Sequence, residues 1–181
     1  VNFVRRAKMN KYTVIDIETT GLKYLEGAEI TEIAGCNVVD GEIITTFSSL
    51  IKTKGKLSDF IVNLTGITNQ MIVNAPAFDF AMTYFFRSLN IVPDTNIIIH
   101  NVEFDYNFIK YWLNKNNIIN PLKDCNKICS LELARKVLPG EIHKLEVLKK
   151  KFGIRTKSHR ALNDVLVTKK VYEELKKIEN G

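Results

Sequence analysis

No stretch of the 181 residues is apolar for long enough to cross a bilayer. Runs such as Ile97-Ile98-Ile99 fall far short of the roughly 20 residues that a spanning helix needs, so no membrane contact is expected. Cysteine is also scarce. Cys36, Cys125 and Cys129 are odd in number and lack zinc-type spacing with the three histidines, which argues against a disulfide framework and a structural zinc site. They read as reduced thiols of a cytoplasmic protein. Val1 to Asn10 holds two arginines and a lysine but no apolar core, which excludes a secretory signal. These ten residues read as an N-terminal extension or an added remnant. No repeat, linker or low-complexity tract divides the rest, so residues 11–181 are expected to form one domain.

What is present is an ordinary globular mixture, 45% hydrophobic and 25% charged, in a chain long enough to bury a substantial core. A net charge of +6 and a pI near 9.2 lean towards an anionic partner. Tyr12 to Ile17 is crowded with β-branched residues and closed by Thr19-Thr20-Gly21, the signature of a strand. Glu29 to Val39, Asp40-Gly41 and Glu42 to Lys52 extend it into a three-stranded antiparallel meander with a two-residue hairpin. Ser58-Asp59 can cap a short helix that stops near Gly66, and Thr68-Asn69 opens a turn. Pro76 introduces a helix to about Leu89, with Phe78, Met82, Phe85 and Phe86 on its core face. Thr95 to Ile99 reads as a buried strand, and Phe104, Phe108, Tyr111 and Trp112 mark the helix after it. Helices are expected at Ile128 to Leu138 and Lys144 to Phe152, and a last one from Ser158 or His159. Three antiparallel strands followed by alternating helix and strand give an α/β fold with a mixed sheet.

Acidic residues stand out in three stretches. Asp16 is flanked by apolar residues, as in a strand at the middle of a sheet, where an unpaired charge costs several kcal/mol. Glu18, two residues on, points to the same face about 7 Å away. Two converging carboxylates need cations or a proton between them, unless the strand simply turns a polar face to solvent at its exit. Asp105 follows His100-Asn101 where a buried strand meets a helix, a junction at which α/β folds gather ligands. Asn101 is a good helix N-cap, and Asp105 alone would also suit the helix dipole. Asp164 lies on the apolar face of the last helix with Val167, Val171, Leu175 and Ile178, where a charge needs compensation. His159, five residues earlier, is not on that face and belongs to the loop or first turn, bending back to the site. By itself it reads equally as a solvated histidine among Arg155, Lys157 and Arg160.

Taken in order, Asp16-Ile-Glu18-Thr-Thr-Gly21, His100-Asn-Val-Glu-Phe-Asp105 and His159-x4-Asp164 resemble the three motifs of the DEDDh exonuclease family. The likeness extends to Asn63-Leu-Thr-Gly-Ile-Thr68 and Leu131-Glu-Leu-Ala-Arg135, and so covers Tyr12 to about Leu175. It is nearest to the epsilon-type proofreading subunit of bacterial DNA polymerase III, or the equivalent domain set into some large replicative polymerases. The resemblance implies a ribonuclease H-like fold with a five-stranded mixed sheet, three antiparallel strands and parallel additions, flanked by helices. It implies that Asp16, Glu18, Asp105 and Asp164 bind metal and that His159 is the general base. It also implies that Thr19, Thr20, Leu22, Leu64 and Thr65 lie against the terminal nucleotide, and that His100, Asn101 and Phe104 line the 3′ end. The implied activity is 3′→5′ exonucleolytic release of nucleoside 5′-monophosphates, in DNA proofreading beside a polymerase catalytic subunit. A single-stranded or frayed 3′ end would be the substrate. A relative that trims RNA or short oligonucleotides shares the same site, and an inactive nucleic-acid-binding module is the alternative of another class.

The chemistry of the residues agrees. A phosphodiester is anionic and resists an anionic nucleophile, so charge must be cancelled on the attacking and leaving oxygens. Two divalent ions about 4 Å apart do this, and all-oxygen ligands favour Mg²⁺ or Mn²⁺. Without metal, four converging carboxylates repel and at least one pKa should rise. A histidine can take the proton of the attacking water at neutral pH. Lys149-Lys150-Lys151 and Arg155 to Arg160 suit phosphate contacts, or are simply solvated charge.

Overall fold

The strand that carries Asp16 lies at the centre of the sheet. In the computed structural model, which describes residues 10–157 and 159–181, β1 (Lys11–Thr19), β2 (Ile30–Val39) and β3 (Glu42–Leu50) form an antiparallel meander. β4 (Asn96–Ile99) and β5 (Asn126–Cys129) add in parallel, giving the order β3-β2-β1-β4-β5. This is the five-stranded mixed sheet of a ribonuclease H-like fold. The Asp40-Gly41 turn has positive φ at both positions, 50° and 87°, which matches the twist of a two-residue hairpin. The expectations for residues 1–9, and for Ser158 as the start of the last helix, fall outside the described residues.

Seven α-helices among the described residues connect and cover the strands. They are α1 (Asp59–Thr65), α2 (Asn69–Val73), α3 (Phe78–Ser88), α4 (Val102–Lys115), α5 (Ser130–Val137), α6 (Leu145–Lys151) and α7 (Ala161–Asn180). Side-chain alternation sorts the strands onto two faces. Ile15, Ile17, Ile33, Ile97 and Ile99 pack with Phe85, Phe108 and Trp112 of α3 and α4. Tyr12, Val14, Ala34, Cys36, Val38 and Ile98 pack on Ala161 and Val165 of α7. Asp16, Glu18 and Glu32 share the parity of the second set and therefore point to the α7 side. Gly35 is a packing requirement: a Cβ there would stand 2.6 Å from Leu89 Cδ1 and 2.9 Å from the Val14 carbonyl oxygen.

Local signals set several boundaries as expected. Ser58 accepts from the Ile61 amide at the start of α1, and Gly66 closes it at φ 70°. Three readings need correction. Ile128 and Cys129 belong to β5 rather than a helix, because the Asn96↔Asn126 to Ile99↔Cys129 register satisfies their backbone in the sheet. Thr68 caps the short helix α2, its hydroxyl accepting from Met71, where only a turn was expected. The last helix starts at Ala161, leaving His159 and Arg160 outside it. No described helix is long and apolar enough to cross a membrane.

Candidate active site

β1 outruns its parallel neighbour, and the site is built in the resulting notch. β1 and β4 pair at Thr13↔Ile97 and Val14↔Ile98; β4 ends at Ile99 while β1 continues to Thr19. The Ile17 amide is thereby free of the β4 ladder, and Asp105 Oδ1 accepts its proton at 3.3 Å. That bond ties α4 to the end of β1 and buries Asp105, which is 4% exposed. α7 approaches from the other side. One carboxylate oxygen from each of Asp16, Glu18 and Asp164 lies within 4.8 Å of the others, the one such group of potential metal ligands among the described residues. Asp16, Glu18, Asp105 and Asp164 all line one cleft of about 490 Å³.

The electrostatics follow from crowding and burial. Burial first, then the charges of Asp105, Asp164 and Glu18, push the Asp16 carboxyl well above the ordinary carboxylate range. Glu18 is pushed up to about 8 by burial and then by Asp164, Glu32 and Asp105, with Arg160 opposing. Burial raises Asp105 to about 8 against the Ile17 amide, which favours its anion. Asp164 rises to about 6, again through burial, with the His159 amide opposing. Asp164 Oδ2 accepts from the His159 amide at 3.0 Å, while its buried Oδ1 has no hydrogen-bond partner among the described residues. A buried carboxylate oxygen without a donor is costly, and a cation or a proton would satisfy it. The donor set, oxygen only and acidic, fits a hard divalent ion.

His159 sits in the loop ahead of α7 and lines the same cleft. Its φ of 59° is left-handed, a conformation costing about 1–2 kcal/mol for a residue with a Cβ. Such strain persists where neighbours over-determine it. His100, Asn101 and Phe104 also line the cleft, each differently. Both ring nitrogens of His100 are engaged, Nδ1 with Ser130 Oγ at 2.9 Å and Nε2 with the His143 carbonyl at 3.0 Å. Because a carbonyl only accepts, Nε2 carries the proton and Nδ1 accepts from the serine. Burial lowers the His100 pKa to about 4, so the ring is neutral. Asn101 does precede α4, but at φ 75° its side chain makes no capping bond among the described residues, contrary to expectation. That left-handed turn swings the chain from β4 into α4.

The other residues expected at the terminal nucleotide do not line the cleft with these. Thr19 donates its hydroxyl to the Gly21 carbonyl, and Thr20 accepts from the Glu29 amide. Thr65, buried on α1, donates to Ile61 and accepts from Ile67. Leu22 and Leu64 are exposed. Conversely, the cleft wall includes Arg135, His143, Lys144 and Leu145, to which sequence reasoning gave no role. Arg135 falls inside a recognised motif, His143 lies in the loop before α6, and Lys144 and Leu145 open the helix expected at Lys144 to Phe152.

A model of the exonuclease family matches residues 13–172. A 3′-5′ exonuclease DinG of Bacillus subtilis is 36% identical over 171 residues, covering 92% of this chain and 18% of that protein. The DNA polymerase III subunit epsilon of Aquifex aeolicus is 34% identical over 166 residues, covering 89% of this chain and 78% of the relative. The chain thus spans 78% of the length of one relative and 18% of the other. Among solved structures, exonuclease X in complex with 5′-overhanging duplex DNA superposes with a TM-score of 0.71 at 24% identity, covering 94% of this chain and 93% of that one. The nuclease domain of 3′hExo, a DEDDh family member bound to rAMP, superposes with a TM-score of 0.77 at 19% identity, covering 94% and 92%. With the family model matching most of the chain and the acidic cleft built at the end of its central strand, the chain belongs to the exonuclease family.

Proposed function

We propose that the protein is a metal-dependent 3′→5′ exonuclease that releases nucleoside 5′-monophosphates from DNA and proofreads for a replicative polymerase. One observation carries this reading: Asp16, Glu18 and Asp164 converge from β1 and α7, with a donorless buried oxygen on Asp164, in a cleft shared with Asp105 and His159. Asp16, Glu18, Asp105 and Asp164 would hold two divalent ions, Mg²⁺ or Mn²⁺. When bound, these supply the positive charge that neutralises the phosphate and its leaving oxygen. His159, neutral, takes a proton from the attacking water. The water oxygen bonds to phosphorus, the bond to the 3′ oxygen of the penultimate nucleotide breaks, and that oxygen keeps the electron pair and is protonated. The shortened strand again ends in a 3′-hydroxyl.

Phe104 and Leu145 offer apolar surface to the terminal nucleoside, and Arg135 and Lys144 place cations at the cleft for the phosphates. His100 has no free ring nitrogen and would support this wall by anchoring Ser130 and the His143 loop. Leu22 and Leu64 would act through their exposed side chains, and Thr19, Thr20 and Thr65 by shaping the loops that hold them. The epsilon-subunit relative favours DNA and a polymerase partner. The rAMP-bound neighbour is the observation behind the second reading, RNA trimming.

The test uses 5′-labelled strands with Mn²⁺. A single strand or a mispaired duplex with a 3′-hydroxyl should shorten stepwise to mononucleotides. A 3′-phosphate, which adds charge beside four carboxylates, should block digestion, and a closed circular strand should survive. Cutting of the circle would refute the exonuclease reading. Faster digestion of RNA than of DNA would select the second reading.

A further inference from the structure

Behind the cleft lies a second buried acid. Glu32 on β2 is 1% exposed and sits directly opposite Glu18 in the β1–β2 register. A buried carboxylate persists only when its lone pairs are satisfied, and these are. Oε2 accepts from Arg160 Nε at 2.9 Å and from the Ala161 amide at 3.0 Å. Oε1 accepts from the second nitrogen of the Arg160 fork at 2.8 Å and from Ser48 at 3.2 Å. With both oxygens fully engaged, Glu32 has nothing left to offer a cation. It also stands apart from the residues that wall the cleft.

What Glu32 grips is the start of α7. Arg160 is the residue preceding the helix, and its own side chain makes no capping bond among the described residues. Ala161 is the first helical residue, whose amide has no partner within the helix. Glu32 supplies that partner from another strand and sets a negative charge at the helix N-terminus, where the dipole favours it. The two-pronged bond to Arg160 fixes orientation as well as distance, because the guanidinium is planar. Three consecutive residues are thus immobilised: His159 through its amide to Asp164, and Arg160 and Ala161 through Glu32. This over-determination is what the left-handed backbone of His159 requires.

We propose that Glu32 and Arg160 form a clamp that presents His159 to the cleft, with Glu32 acting as a positioning residue rather than a metal ligand. The proposal rests on His159 being the general base. Displacing a proton acceptor by a fraction of an ångström slows the chemical step while leaving ground-state binding nearly intact.

Glu32→Gln separates the parts of the clamp. The amide oxygen can still accept from Ala161, while the amide NH₂ meets the guanidinium donor to donor and opens the fork. Single-turnover hydrolysis of a 3′-hydroxyl strand is measured at saturating Mn²⁺ with enzyme in excess, from about pH 5.5 to about 9, with a steady-state series for KM and thermal melts to verify folding. The proteins compared are wild type, Glu32→Gln, His159→Ala and the double variant. Glu32→Gln should lower the single-turnover rate roughly 10–100-fold with KM little changed, but cost less than about 2-fold once His159 is already absent. An equal loss in both backgrounds, or no loss in the first, overturns the clamp while leaving the base assignment standing. If His159→Ala itself keeps the wild-type rate and its rise with pH, the base assignment falls and takes the clamp with it. Arg160→Lys, which keeps the charge but not the fork, should show the same non-additivity with His159→Ala; an additive loss there also overturns the clamp.

Discussion

In protein stripped of divalent ions, replacing Asp164 by asparagine should raise stability at neutral to basic pH, although it removes a group assigned to hold metal. Asparagine keeps the shape of the side chain, and its carbonyl can still accept from the His159 amide, now bonded at 3.0 Å to Asp164 Oδ2. What disappears is a buried charge within 4.8 Å of the Asp16 and Glu18 carboxylates. Two unit charges at that distance repel by about 3.5 kcal/mol at an effective dielectric constant of about 20, and protonation relieves part of this. Burial acts beside this repulsion and raises the Asp164 pKa in the fold from 3.8 to about 6. A rise of that size disfavours folding of the ionised protein by roughly 3 kcal/mol. The sign is fixed by proton counting. Between those two pKa values the folded chain binds more protons than the unfolded one, so Asp164 destabilises increasingly as pH rises through the window. The advantage of the variant should therefore be about 3 kcal/mol at pH 8, or about 6–12 °C in Tm, and roughly 1 kcal/mol at pH 4.5. His100 works in the opposite direction, but it is common to both proteins and cancels in the difference. Calorimetry of both in EDTA at the two pH values tests this. An excess of Mn²⁺ should then reverse the order, because only the wild type keeps the full ligand set. A Tm for Asp164→Asn at or below wild type in EDTA at pH 8, or a gain undiminished at acid pH, would refute the reasoning.

His100 should give the complementary acid response. Its pKa, lowered by burial to about 4, means that the unfolded chain binds the extra proton between about 6.5 and 4, so stability falls as pH drops through that range. His100→Gln should flatten this loss in urea unfolding, and an unchanged acid slope would point to another group. Gly35→Ala should destabilise by about 1–3 kcal/mol, since Leu89 can turn aside but the Val14 carbonyl, 2.9 Å from the new Cβ, cannot. A wild-type melting temperature for that variant would show that β2 yields at this point.

Local chemistry made much of this fold legible. The Asp40-Gly41 hairpin, the Ser58 cap and the Gly66 stop are each written in two or three neighbouring residues. β5 was not, because four residues that pair with β4 carry no periodicity of their own, and Ile128 and Cys129 blend into the apolar pattern of α5. Asp16 and Asp164 stand out as charges in an apolar setting, Glu18 through its parity with Asp16, and Asp105 through its place where a strand meets a helix; all four line one cleft. Glu32 carries a related signal, the lone acid of β2, followed by the small and apolar run Ile33 to Cys36, and could have been found by the same reasoning. Asn101 misled because its residue type suits a cap, whereas its position after β4 demands a left-handed turn. Arg135, His143 and Lys144 reach the cleft through tertiary packing, which spacing along the chain does not encode.

The route of the chain through the cleft also sets a schedule for a nascent polypeptide. Within this domain β1 leaves the ribosome first with Asp16 and Glu18, α4 follows with Asp105, and α7 then brings Asp164 and the His159 loop. Until α7 docks, the face of β1 that bears both acids is wet, and these carboxylates pay no desolvation. The full repulsion, with Asp164 added, is imposed only when Val165, Val167, Val171 and Leu175 are buried in the same step. Assembly of the acidic cluster is thus coupled to the large apolar gain of docking α7, and a chain arrested before residue 164 holds no completed ligand set.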